Sequence, residues 1–373
     1  ILHLIEEAAP VLPIFKSVTP RGWSEFFSLL SREKLPPIVV FDEFPYWAAG
    51  DPALPSILQK WIDHELPQTK SLLLISGSSQ SMLHSYLLNQ AVPLYGRSDV
   101  HLNLSPMSYV WFCRALGFPI EDPDSFVRFS LLGGVPHYWR LLSKGSVLEQ
   151  AEALYFAPGA ILAEEPIHML RDEGVTGGLP KAIIDLIGRG VAKPSEIAAR
   201  LGMPHGNLSR PLALLLEIGL IKRDLPFGES TRTTKKVLYT MEDPALAFYY
   251  GTYLPLRSRW EILTDKEKHL ALAVHASRVW EDFCRQAYAG AGRYWEGQVE
   301  LDLVAWQKGR KAALLAECKW VDLPYSQERS ILEDLKRKFS SSALSRKFTS
   351  VEFRVFSKKD LLFVAKKQAA HDA

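Results

Sequence analysis

Two short apolar runs constrain this chain more than any other feature. Residues 38–41 (Ile-Val-Val-Phe) and 71–75 (Ser-Leu-Leu-Leu-Ile) each stop abruptly at polar residues, and Leu54 to Leu66 between them carries Ile57, Leu58, Trp61 and Ile62 on one side at helical spacing. Short unbroken apolar runs read as strands covered on both faces, and two of them joined through a helix read as parallel neighbours in an α/β domain. The 373 residues, 47% hydrophobic and 23% charged, supply sizeable cores for two to three domains and exclude a mainly disordered chain. No apolar run approaches the roughly 18 residues needed to span a bilayer, and no basic-then-apolar leader opens the sequence. Cys113, Cys284 and Cys318 lie too far apart for a disulfide framework or a zinc knuckle, which points to a reduced, cytoplasmic compartment. The sequence opens on Ile1 rather than Met, so we expect a fragment of a longer product.

Charge is divided unevenly. Residues 1–177 hold 12 Lys+Arg against 19 Asp+Glu, residues 178–240 hold 10 against 5, and residues 275–373 hold 18 against 13. An acidic front joined to a basic back is the pattern of a chain whose back half meets a polyanion.

From Ser105 to about Arg171 the pattern is mostly helical, interrupted at Gly133-Gly134-Val135-Pro136, with a linker near Gly174–Gly178. Residues 178–240 then read as a compact series. Pro180 to Ile187 is amphipathic, Ser195 is expected to cap a helix that Gly202 stops, and Asn207 to cap a second one that Gly219 closes. Leu220–Arg223 and Val237–Thr240 read as strands, which makes a helix-turn-helix with a β-hairpin wing. Beyond residue 275 the expected order is a helix (277–288), strands at 299–306 and 312–320, a helix near 327–339, and a strand at 351–356.

Three groups of side chains carry chemistry. Asp42 and Glu43 end the first apolar run, where in nucleotide hydrolases the first carboxylate holds Mg²⁺ and the second polarises the attacking water. Ser78 and Ser79 end the second run beside it, and Arg97 could supply a cation to developing phosphate charge. Asn207, Ser209 and Arg210 stand opposite Leu208, Leu212 and Leu215 on the second helix, and Arg232, Lys235 and Lys236 lie in the wing; these residue types reach phosphates and base edges, although such units also dock proteins. In residues 299–304 alternation sets Glu300 and Asp302 against Val299, Leu301 and Leu303, and in residues 314–320 it sets Glu317 and Lys319 against Ala316 and Cys318. If the two strands pair, Asp302, Glu317 and Lys319 converge, with Glu281 as a fourth group. Two carboxylates can then hold Mg²⁺ or Mn²⁺ at a scissile phosphate while the lysine orients water.

The wording of these segments resembles a known family. Residues 38–46 (IVVFDEFPY), Leu54 to Gln59, Ser76 to Ser79 and Pro93 to Arg97 are together similar to the archaeal-type AAA+-like P-loop ATPases. That resemblance implies ATP and Mg²⁺, with Asp42 on the metal, Glu43 as the catalytic carboxylate, Ser78 or Ser79 near a polar sensor position, and a homo-oligomer as a partner. Arg97 falls on an arginine the family carries, often followed by a second one; here Ser98 follows. The family places a winged-helix-like unit and a segment like Asp243 to Phe248 after its lid. Many members end in a domain opening like Trp280-Glu281-Asp282-Phe283, and residues 275–373 resemble its PD-(D/E)XK, restriction-endonuclease-like core. The sequence departs from the family at the front: no G-x-x-x-x-G-K-[ST] loop occurs in it, and Gly22 alone precedes the Asp42 strand. The expectation is therefore an α/β chain: a partial P-loop ATPase parallel sheet (1–104), a helical lid (105–177), a winged helix-turn-helix with helical connector (178–274) and an α/β nuclease-like domain (275–373). DNA is the expected partner, and no membrane is involved.

Overall fold

A computed structural model describes residues 2–175, 177–309 and 311–370. The chain divides into two compact units, Ile1–Leu104 with Asp172–Gly174, and Ser105–Arg171 with Val175–Ala373.

In the first unit β1 (Ile38–Phe41) pairs in parallel with β2 (Leu72–Ile75), Ile38 opposite Leu72 and Phe41 opposite Ile75. The helix between them, Leu54–His64, buries Leu54, Leu58 and Trp61, and the Trp61 ring meets Phe27 at 5.2 Å and Phe41 at 6.4 Å. The expectation of strands buried on both faces is corrected here. Val39, Phe41, Leu73 and Ile75 face the core, while Ile38, Val40, Leu72 and Leu74 remain 41–57% exposed. Only one layer of helices covers this two-stranded sheet, so period-2 alternation divides an all-apolar run into a packed and an unpacked face.

In the second unit, helices Tyr109–Leu116, Pro123–Leu132 and Ile161–Asp172 are followed by Gly178–Gly188, Pro194–Arg200 and Ser209–Glu217. An antiparallel hairpin comes next, β3 (Ile221–Asp224) with β4 (Leu238–Met241). Two capping expectations fail in this stretch. Pro194 rather than Ser195 opens its helix, because proline lacks the N–H that position would leave unpaired. Asn207 lies inside a 3₁₀ turn, His205–Leu208, that runs straight into the next helix.

The last part is built on a long helix, Asp265–Gln286, started by a capping box in which Thr264 and Glu267 satisfy each other's backbone N–H. A four-stranded sheet follows in the order β5 (Gly292–Glu296), β6 (Val299–Trp306), β7 (Ala312–Cys318), β8 (Ser350–Phe356). The first three strands are antiparallel, and β8 runs parallel to β7 after the crossover helix Tyr325–Ser341. Sequence reading began the long helix twelve residues late and missed β5. The signals were Thr264-x-x-Glu267 and Gly297, whose φ of 56° serves the two-residue turn joining Glu296 to Val299.

The segments expected as lid, winged helix and terminal domain share one continuous core. Phe126 of the 123–132 helix meets Trp280 at 5.5 Å and Trp320 at 4.5 Å, and Tyr109 meets Phe283 at 5.6 Å. Each such ring pair adds about 1 kcal/mol beyond area burial. His275 sits in this core with Nε2 2.7 Å from the Ser130 carbonyl oxygen, so a proton on Nε2 is donated there. Burial lowers its pKa to about 4. The fold therefore excludes a proton that the unfolded chain takes up below pH 6.5, and His275 stabilises the fold fully above 6.5 and loses that contribution as pH falls towards 4. Chemical denaturation of the parent and of His275→Gln between pH 7 and 4 should show the variant lacking an acid-side fall of about 3 kcal/mol. Equal slopes would remove His275 as the cause.

Candidate functional site

The first candidate lies at the C-terminal tips of β1 and β2. Asp42 Oδ1 accepts from Ser76 Oγ at 2.5 Å and from the Glu43 N–H at 3.1 Å. Glu43 caps the Phe44–Gly50 helix in a left-handed conformation, φ 51°, which among the described residues no other non-glycine adopts. Its Oε2 accepts from the Ser78 N–H at 3.2 Å and Ser78 Oγ at 3.1 Å. A strained carboxylate held by the neighbouring strand end is a pre-organised one. Ser79 is buried; its hydroxyl donates to Glu173 Oε2 at 3.1 Å and accepts from the Met82 N–H at 3.2 Å. Asp42, Glu43 and Ser78 are thus brought together. Arg97 is not with them: Nε and Nη2 bind the two Asp63 oxygens at 2.8 and 2.9 Å, and Nη1 donates to the Pro93 carbonyl. That pair holds the Asp63 carboxyl below its usual range, with the Arg97 hydrogen bond as the main cause.

The second candidate is in the terminal sheet. Lys319 Nζ lies 3.2 Å from Asp302 Oδ2 and 3.0 Å from Glu317 Oε2, as pairing of the two strands leads one to expect. Asp302 and Glu317 are 9% and 4% exposed. Asp302 Oδ2 also accepts the Cys318 N–H at 2.9 Å. Burial opposes ionisation of Asp302, yet hydrogen bonding with Glu317, the Lys319 charge and the Cys318 N–H outweigh it and hold its pKa low. Burial and the adjacent Asp302 charge push Glu317 up instead, so the two carboxyls share their negative charge unequally. Glu281, on the long helix, is pushed up to about 7 by burial and then by the Asp302 charge.

Asp302 reaches this position because alternation breaks. Leu301 pairs with Tyr294 and Val304 with Gly292, so Asp302 and Leu303 together oppose the single residue Arg293. This bulge sends Leu301 and Leu303 to different cores, which corrects the expectation that they share a face. In β7 the expected alternation holds. Sequence reading also missed Lys338: from the crossover helix its Nζ reaches Glu317 Oε1 at 2.6 Å and Asp334 Oδ2 at 3.3 Å. Spacing along the chain gives no sign of it, since Lys338 lies 21 positions beyond Glu317, on the crossover helix that returns over β7.

Asn207, Ser209 and Arg210 are exposed at the start of the 209–217 helix, and Arg232, Lys235 and Lys236 are exposed between β3 and β4. The start of that connection is not free. The Phe227 N–H donates to the Arg293 carbonyl at 2.8 Å, and its ring meets Trp306 at 5.2 Å and Phe348 at 6.3 Å.

Comparison with known proteins gives these features a setting. Residues 6–141 match the model of an ATPase domain found predominantly in Archaea, and residues 266–331 match a family of archaeal and bacterial proteins of unknown function. The two matches support an archaeal-type ATPase-like family, with general use of nucleotide and Mg²⁺ by its ATPase domain. The chain is 28% identical over 354 residues to the uncharacterized protein MJECL04 of Methanocaldococcus jannaschii, covering 90% of this chain and 78% of that protein. No solved structure matches it. Among the described residues no helix is long and apolar enough to cross a membrane.

Proposed function

We propose that this is a DNA-associated ATPase-like protein whose terminal sheet is a divalent-metal-dependent phosphodiesterase of the PD-(D/E)XK kind. The observation that carries the reading is the meeting of Asp302, Glu317 and Lys319 at one end of β6 and β7. Two buried carboxyls that face each other, one with a raised pKa, form a donor set whose charge a divalent cation would relieve. Asp302 and Glu317 would hold Mg²⁺ or Mn²⁺, which when bound supplies Lewis-acid stabilisation of a phosphate and a more acidic water. Lys319, in contact with both carboxyls, would orient a water and offset the charge that develops, and Glu281 would serve as a further proton-sharing carboxyl. The helices of residues 178–217 with the β3–β4 hairpin are read as a winged helix that brings DNA to this site through Asn207, Ser209, Arg210, Arg232, Lys235 and Lys236.

At the other site Asp42 would hold Mg²⁺ and Glu43 would polarise water beside ATP. The sequence holds no Gly-rich loop and lysine to cradle the phosphates, so nucleotide affinity depends on such a loop being supplied.

A second reading, a DNA-binding protein without cleavage, is favoured by two observations. Lys338 and Lys319 occupy both Glu317 oxygens, and among the described residues no three His, Cys, Asp or Glu side chains are grouped to hold a metal ion. Incubation of plasmid and linear DNA with Mg²⁺ and then Mn²⁺ separates the two. Cleavage by the parent that is lost in Asp302→Ala is the expected result. Intact DNA in both, with salt-sensitive binding retained, would move the assignment to the second reading.

A further inference from the structure

An ionic relay runs from the hairpin to the back of the carboxylate pair. Lys222, on β3, places Nζ 3.0 Å from Asp282 Oδ2. The other Asp282 oxygen accepts from Arg285 Nη2, and Arg285 Nη1 donates to the Asp302 backbone carbonyl at 2.8 Å. All three side chains are largely covered, 16–32% exposed. Burial works against each charge, but the mutual attraction outweighs it: the Asp282 pKa is lowered and those of Lys222 and Arg285 are raised. The relay stays charged at neutral pH.

Its end point is the bulge. Asp302 and Leu303 oppose Arg293 alone, and β6 first pairs with β7 at Leu303, so the Asp302 peptide lies where the ladder is broken. A carbonyl released from a ladder in a covered position needs another donor. Arg285 supplies it, and its guanidinium is oriented by Asp282, whose second oxygen is held by a residue of the hairpin. The bulge decides where the Asp302 carboxylate points, so whatever fixes the bulge also fixes the distance from Asp302 to Lys319 and to the Cys318 N–H.

We infer that Lys222, Asp282 and Arg285 are positioning residues that aim Asp302 at its site and make its geometry depend on the seating of the β3–β4 hairpin. The partner chemistry this implies is a polyanion on the exposed basic residues of that hairpin connection, whose binding would be felt at Asp302. The inference rests on the phosphodiesterase reading for its functional meaning, though its geometry can be tested apart from it.

The test uses the whole chain and two readouts, with Lys222→Met as variant and Lys222→Arg as the conservative control. Amide hydrogen exchange at Cys318 follows the bond to Asp302 Oδ2 without any metal. Calorimetric titration with MnCl₂ follows the carboxylate pair. The expected result is exchange at Cys318 at least about tenfold faster in Lys222→Met, Mn²⁺ affinity lowered by about tenfold or more, and both restored in Lys222→Arg. Faster exchange in a chain whose parent binds no Mn²⁺ would uphold the relay and overturn the metal reading. Unchanged exchange would overturn the relay whatever the metal does. Should Lys222→Met fail to fold, Asp282→Asn, which keeps the side-chain shape and removes the charge, is read in the same way.

Discussion

Lys319→Ala should abolish DNA cleavage, by about a thousandfold or more, while leaving the fold intact. Lys319 touches both carboxyls, at 3.2 and 3.0 Å. Without its ammonium, Asp302 keeps the Cys318 N–H and Glu317 keeps Lys338 on its far oxygen, and no cation stands between the two carboxyls. The negative charge of the pair is then less well offset, as the already raised Glu317 pKa reflects, and the ammonium that would orient water and meet the charge developing on phosphate is gone. A proton shared by the pair would protect the fold, because one buried negative charge costs less than two. Circular dichroism and a melting curve close to the parent's should therefore accompany the lost activity. A Lys319→Ala chain as active as its parent would remove this lysine from the site.

Gly188→Ala should be a strongly damaging single-methyl change outside the site. Gly188 ends the Gly178–Gly188 helix where it meets the π-helical turn Tyr249–Tyr253, and a Cβ built on it would fall 2.1 Å from Tyr250 Cβ. The contact is no flexible tip that swings aside, and a Cβ on Gly251 would in turn lie 2.8 Å from the Gly188 carbonyl oxygen. Two backbones approach here through paired glycines. Overpacking of this kind costs about 3 kcal/mol, and for a unit of this size the melting temperature should drop by about 6–12 °C. Gly206→Ala, whose added methyl meets nothing within 4 Å, is the control expected to melt with the parent. A Gly188→Ala chain that melts with them would show that the helix and turn can separate at little cost.

What could be read from residues alone follows the reach of each physical signal. Alternation along β7 was enough to put Glu317 and Lys319 together, because that strand is regular and its two faces differ. Alternation along β6 was not, because two residues oppose one at Asp302, and a bulge leaves the residue types unchanged while reversing their faces. The parallel pairing of β1 and β2 was legible from two apolar runs, whereas the bare face of Ile38, Val40, Leu72 and Leu74 was not, since an unbroken apolar run does not say which side is covered. Lys338, Arg285 and Lys222 carry no local mark. Each reaches the carboxylate region from a different element, and only tertiary packing tells such a cation from a solvated one.

The continuous core of the second unit bears on how a chain like this descends. The stretch matching an archaeal-type ATPase domain ends at residue 141, yet its Phe126 packs on Trp280, Phe283 and Trp320, and its Phe129 and Trp139 belong to the same core. The matched stretch and the compact unit have different borders. A recombination event that exchanged the front piece at its homology boundary would carry away part of another piece's interior. Shuffling is then tolerated only where the joint brings Tyr109 to Trp139 along with the back half, or leaves them behind with it.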